Sequence, residues 1–287
     1  MYYVTIIPQR QYKNNGETVK SLSVYGFKAL ALYSLERYPE SKVFIEKCIS
    51  LQPYTLKPIF YRSVINTALK DYDSALADIN YCLEKNSSWA DAYHQKGLIY
   101  LNKQNYDLAL ENFNNAISNL SDIKAEYYSD RGFSKYFLGD YESAKNDLLI
   151  SLKYAINDDV YLCLIDLCYK LEQYEEGMEY ASILISKKSH VEEAIINRAY
   201  ILLVLEQYED VKNDLEQIKS KCLKLSSYHK LCCIYYILTE QKELAFESIK
   251  TAEALNENDK DIKVLIELLE KNELKEQIKN VKELNIY

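Results

Sequence analysis

A chain of 287 residues, 48% of them hydrophobic, has room for one large or two ordinary folded domains. Six Gly and four Pro are too few for the many turns of a sheet protein, so long helices with short connections are expected. A net charge of −8 without a basic stripe argues against nucleic acid, and the absence of any uncharged apolar run near 18 residues argues against a membrane span.

The chain opens on "MYYVTIIPQR", which lacks the basic start, long apolar core and small-residue cleavage site of a signal peptide. Residues 1–21 stand apart from the pattern that organises the rest. "YYVTII" is β-prone, but a helical protein offers it no sheet; the segment reads as extended along the first helices or mobile. The seven cysteines form no CxxC and are odd in number, which suits a reducing compartment. The cytoplasm is the expected location.

From Leu22 onward one phrase recurs. "DYDSALADINYCLE" (71–84), "NYDLALENFNNAIS" (105–118) and "DYESAKNDLLISLK" (140–153) are versions of the same amphipathic helix. Tyr38, Tyr72, Tyr106, Tyr141, Tyr174 and Tyr208 follow at steps of 34, 34, 35, 33 and 34, and the next step lands on Lys242. Seven units result, over 22–259, starting near 22, 56, 90, 125, 158, 192 and 226. Numbered from its own start, each unit reads as helix A (positions 2–15), a tight turn and helix B (18–31). Positions 8, 20 and 27 are mostly small, as at Gly97, Ala109 and Ala116, so the two helices can approach closely. Ile165, Leu184, Val211 and Ile218 break those columns, making units five and six looser matches. Gly139 ends one helix A and Pro39 opens one helix B, both at suitable places. Residues 260–287 are polar and helical, as a cap on the last unit should be.

Arg recurs at position 7 as Arg62, Arg131 and Arg198, and Asp at position 23 of the same units as Asp78, Asp147 and Asp214. Each pair lies 16 residues apart and bridges helix A to helix B, which predicts a partly buried structural ion pair. Catalytic signals are missing. No glycine cluster, HExxH or GxSxG occurs, and no two of His94, His190 and His229 share a metal-ligand spacing. The reading is no enzyme, no metal and no cofactor.

A 34-residue helix–turn–helix with small residues at 8, 20 and 27 and an aromatic near 17 resembles the tetratricopeptide repeat. "AYHQKGLIYLNKQNYDLALENFNNAIS" carries the resemblance most clearly. It implies an all-α fold, a right-handed superhelical α-solenoid of stacked antiparallel hairpins with helices A lining an inner groove. By position, the groove would present Phe60, Tyr61, His94, Leu98, Asp130, Phe133, Tyr136, Asp166 and Tyr200. Asp91, Glu126, Asp159 and Glu193 recur at position 2, so the groove should be aromatic and acidic. The Lys and Asn clamp of chaperone-binding members is not matched: Phe60, Val64, Gln95, Glu126 and Asp130 stand in its places.

The resemblance implies a non-catalytic adaptor or scaffold for a protein or peptide with apolar anchors and some basic charge. The other reading kept open is a peptide-sensing regulator whose superhelix changes shape on binding.

Overall fold

The computed structural model describes residues 17–271 of the chain. Among the described residues there are fifteen α-helices and no strands. Two compact units divide after Ile156. The first holds four hairpins, α1 (Glu17–Ser34) with α2 (Tyr38–Leu51), α3 (Leu56–Ala68) with α4 (Tyr72–Lys85), α5 (Ala90–Asn102) with α6 (Tyr106–Ser118), and α7 (Ala125–Phe137) with α8 (Tyr141–Tyr154). The second holds α9 (Asp158–Lys170) with α10 (Tyr174–Lys187), α11 (Val191–Val204) with α12 (Tyr208–Cys222), α13 (Ser226–Leu238) with α14 (Lys242–Leu255), and the single helix α15 (Lys260–Lys271). Glu17–Ser21, expected in an extended or mobile segment, belong to α1, because nothing between Glu17 and Leu22 breaks a helix. The rest of that segment and residues 272–287 lie outside the described residues.

Small residues set the spacing within each hairpin. At positions 8 and 20 the two helices come so close that hydroxyls reach the opposite backbone. Ser41 Oγ donates to the carbonyl of Ala29 at 2.7 Å, and Ser63 Oγ to that of Ala75 at 2.9 Å. Position 24 supplies the bulk opposite position 8. Phe113 is fully buried over Gly97, and Leu148 over Gly132. Ile165, at the column's bulkiest position 8, has Ala181 at position 24 of its own unit, both buried in one core. Volume is conserved across the pair rather than at either column.

Every A–B turn has the same backbone. Glu36, Lys70, Gln104, Gly139, Glu172, Glu206 and Glu240, all at position 15, have positive φ. Each helix A ends in paired bonds such as Gln104 N–H to the Leu101 carbonyl (2.9 Å) and Asn105 N–H to that of Tyr100 (2.9 Å), the Schellman arrangement. Only one of the seven positions is glycine. Helix B then starts with a side-chain cap in units two to four: Asp71 accepts from the Ser74 N–H, Asn105 from Leu108 and Asp140 from Ser143. Arg37, Gln173, Gln207 and Gln241 hold the same place without a side-chain cap bond.

Helix A of one hairpin packs on helix B of the hairpin before it within each unit. The terminal α15 follows the same rule on α14, burying Ile262, Leu265 and Leu269. It therefore stands where helix A of an eighth repeat would begin.

Candidate functional site

In the first unit, successive helices A (α3, α5 and α7) are neighbours, so their side chains form one surface. Phe60 is half-buried; its ring stacks on Trp89 at 5.0 Å and meets Tyr61 edge-on at 5.5 Å. Leu98 on α5 and Phe133 on α7 are half-buried. Tyr136 is also half-buried, 5.9 Å from the turn residue Tyr141. Beside it Phe137 is exposed and stacks on Tyr106 at 4.7 Å.

Between these apolar side chains lies a polar junction joining the third and fourth repeats. The His94 ring is buried flat against Tyr127, with centroids 3.9 Å apart, and its Nε2 sits 2.7 Å from Asp130 Oδ2. Tyr127 donates its hydroxyl to Asp91, which also accepts from the Lys124 ammonium. Burial, then the Asp91 bond, pushes the Tyr127 phenol well above its ordinary range, so it stays a donor. Burial pushes the Asp91 carboxyl up, but the bonds from Lys124 and Tyr127 outweigh it, and the net shift is downward. One repeat earlier, Gln95 Nε2 donates to Thr67 Oγ1 at 3.0 Å.

His94 and Asp130 are thus committed to each other. The recurring acids at position 2 are partly committed too: Asp91 to Lys124, and Asp159 to His190 at 3.8 Å. Glu126 and Glu193 make no ion pair among the described contacts. In the second unit Asp166 and Tyr200 are buried rather than open to solvent, and Lys170 Nζ lies 3.7 Å from Asp166. Tyr127, Lys124 and Trp89 were not singled out in the sequence. Only Trp89, as the sole tryptophan, carried a signal that could have drawn attention.

The three Arg–Asp pairs are bidentate. Arg62 donates through Nε and Nη2 to Asp78 at 2.9 and 2.6 Å, and Arg131 to Asp147 at 2.7 and 2.6 Å. Arg198 bonds Asp214 through the same two atoms. Asp147 also accepts from Lys135 at 2.8 Å. Donating to Asp78 raises the Arg62 guanidinium pKa further. At Asp214 burial wins over Arg198, and the carboxyl titrates above its usual range. In the first repeat the same two positions hold Lys28 and Phe44, with the ammonium 4.2 Å from the ring centroid.

Reactive groups are subdued. All seven cysteines are free thiols, and burial pushes the neighbouring Cys232 and Cys233 up to about 11 and about 12. Among the described residues no group of three His, Cys, Asp or Glu side chains could hold a metal ion, and no helix is long and apolar enough to cross a membrane.

Helical hairpins repeated at a fixed period, and packed on one another within each unit, define an α-solenoid of the tetratricopeptide type. The tetratricopeptide-repeat family profile matches residues 22–55 and 90–119. By sequence those two stretches belong to the tetratricopeptide-repeat family, and the other hairpins share their fold. Similar folds include a tetratricopeptide-repeat protein from Parabacteroides merdae, at 16% identity and a TM-score of 0.63, covering 88% of this chain and 99% of that one. PilF of Pseudomonas aeruginosa matches at 16% identity and 0.63, covering 71% and 93%. The structure of the APC/C hetero-tetramer Cut9–Hcn1 matches at 13% and 0.68, covering 88% of this chain and 51% of that one. At such identities the likeness concerns the fold. The comparison with curated proteins finds no match.

Proposed function

We propose that this protein is a non-catalytic adaptor that holds a protein or peptide partner against helices A of its first unit. One observation carries the reading. Phe60, Leu98, Phe133 and Tyr136 stay partly open on three neighbouring helices, while the polar groups among them are already paired within the chain. Partly open aromatics offer a partner contact area at low entropic cost. The partner would therefore bring apolar anchors. A basic group on it would meet Glu126, since Asp91 and Asp130 already have partners. The Cut9–Hcn1 relative of the fold is itself described as a hetero-tetramer, which accords with a partner-binding role. Seven free thiols accord with the cytoplasm.

The test is affinity capture from the native cell with the intact chain and with Leu98→Asp combined with Phe133→Asp. Specific partners should be lost from the variant and kept by an outer-face control such as Glu142→Lys. Retention of every partner by the double variant would falsify the reading. A partner bound at this surface should also alter the fluorescence of Trp89, which stacks on Phe60.

A further inference from the structure

The Arg–Asp pairs of the first unit sit in a larger group. In the fourth repeat Asp147 accepts from Arg131 and, at 2.8 Å, from Lys135 at position 11. Arg131 Nη1 also donates to Asn114, position 25 of the helix B before it, at 3.0 Å. The second repeat builds the same group. Asp78 accepts from Arg62 and, at 3.4 Å, from Asn66 Nδ2, and the charge of Glu46 on the preceding helix B acts on Arg62. Positions 7, 11 and 23, with position 25 of the preceding repeat, thus gather donors around one carboxylate, where a helix A meets two helices B. The third repeat has the donors without the carboxylate. Its places hold Lys96, Tyr100, Asn112 and, from the repeat before, Asn80. Asn112 is buried and donates its Nδ2 within its own helix, to the Leu108 carbonyl at 2.7 Å. Lys96 and Tyr100 are half-buried and Asn80 is exposed; among the described residues none of the three makes a side-chain hydrogen bond or ion pair. The exposed Glu84 on α4 and Glu111 on α6 do not pair with Lys96.

We propose that Lys96, Tyr100 and Asn80 bind a carboxylate side chain of a partner protein, an aspartate or glutamate placed as Asp78 and Asp147 are placed in the neighbouring repeats. An ammonium, a phenol and an amide can all donate, and a charged acceptor makes the stronger bonds with them. Partial burial strengthens the attraction beyond what a fully hydrated lysine offers. A carboxylate is also the group that the same places hold in repeats two and four, which favours it over a phosphate. The site uses positions 7 and 11 of helix A, not the open positions 5, 9 and 12 of the groove, so it does not rest on the reading of the groove.

The probe is acetyl-aspartyl-amide, titrated into the intact, isotope-labelled chain at constant ionic strength from roughly 1 to about 200 mM, since one charged contact sustains only weak binding. The backbone amide signals of Lys96, Tyr100 and Asn80 should move along one saturable curve. The neutral acetyl-asparaginyl-amide should leave them in place. Lys96→Met should lose the response and keep a wild-type helical spectrum. Asn112→Asp is the deciding variant, and it decides alone should Lys96→Met fail to fold. It supplies the carboxylate from within, so it should raise the urea midpoint and abolish the response to the probe together. A parent chain without a saturable shift overturns the proposal, as does an equal shift with the neutral probe. So does an Asn112→Asp chain that still binds, or one whose midpoint stays or falls. Inorganic phosphate binding more tightly than the aspartyl probe would give the site to phosphate groups and overturn it too.

Discussion

Gly97 and Phe113 show how one hairpin sets its own width. A Cβ added at Gly97 would lie 2.5 Å from a ring carbon of Phe113, far inside van der Waals contact. Gly97→Ala should therefore destabilise the protein by about 1–3 kcal/mol, although alanine favours a helix. Gly97→Ala with Phe113→Leu should recover part of the loss, measured by urea unfolding. Full tolerance of Gly97→Ala alone would show that the hairpin is loosely packed. The Arg198–Asp214 pair obeys a different arithmetic. Arg198→Met strands a buried carboxylate and should cost about 3 kcal/mol at neutral pH. Adding Asp214→Leu should return most of that, because the remaining site is apolar; Leu164 and Tyr180 hold the same positions in the fifth repeat. Burial already raises the Asp214 pKa, so the folded state holds its proton to higher pH than the unfolded chain. The deficit of Arg198→Met should accordingly shrink as pH falls toward the carboxylate range.

At the level of the helix and its turn, the seven A–B connections share one backbone but not one side-chain solution. A left-handed residue other than glycine carries strain of about 1 kcal/mol or more. Glu206 is exposed with φ of 57°, and the following Gln207 makes no side-chain cap bond. Glu206→Gly should relieve the turn and Gln207→Asp should cap α12, each by up to about 1 kcal/mol. Combined, they should raise the melting temperature by roughly 2–4 °C per kcal/mol gained. No rise in a calorimetric scan would mean that the flanking bonds already remove the strain. These turns explain one limit of sequence reading. Only Gly139 advertises its conformation; Glu, Lys and Gln at the equivalent sites carry no turn signature, because the paired carbonyl bonds around them impose the geometry.

Over the whole molecule, the hairpins were legible because each must bury an apolar face, and the resulting pattern recurs every 33 to 35 residues. The junctions between hairpins were not. Tyr127 reaches Asp91 across 36 residues, and His94 reaches Asp130 across 36, with no local pattern to mark either contact. Compensation between Ile165 and Ala181 was hidden for a related reason, since each column alone looks like a departure. The junctions also govern how the molecule meets acid. Bonds from Lys187 and Lys221 hold Asp158 and Glu192 below the ordinary carboxylate range, and solvent around those lysines screens both bonds. Asp91 shares its charge with a buried phenol as well as an ammonium, so it should contribute more. Its folded pKa is lowered; its stabilisation is complete above the unfolded value near 4 and is lost as pH falls through the lower folded value. Asp91→Asn should therefore cost about 1 kcal/mol at pH 7, below the usual range for bonds to a charged group because the carboxylate is partly hydrated. Below about pH 4 the variant and the parent should converge in urea unfolding. A gap that stays constant down to the acid transition would show that Asp91 serves the junction through shape alone, and that its charge is idle.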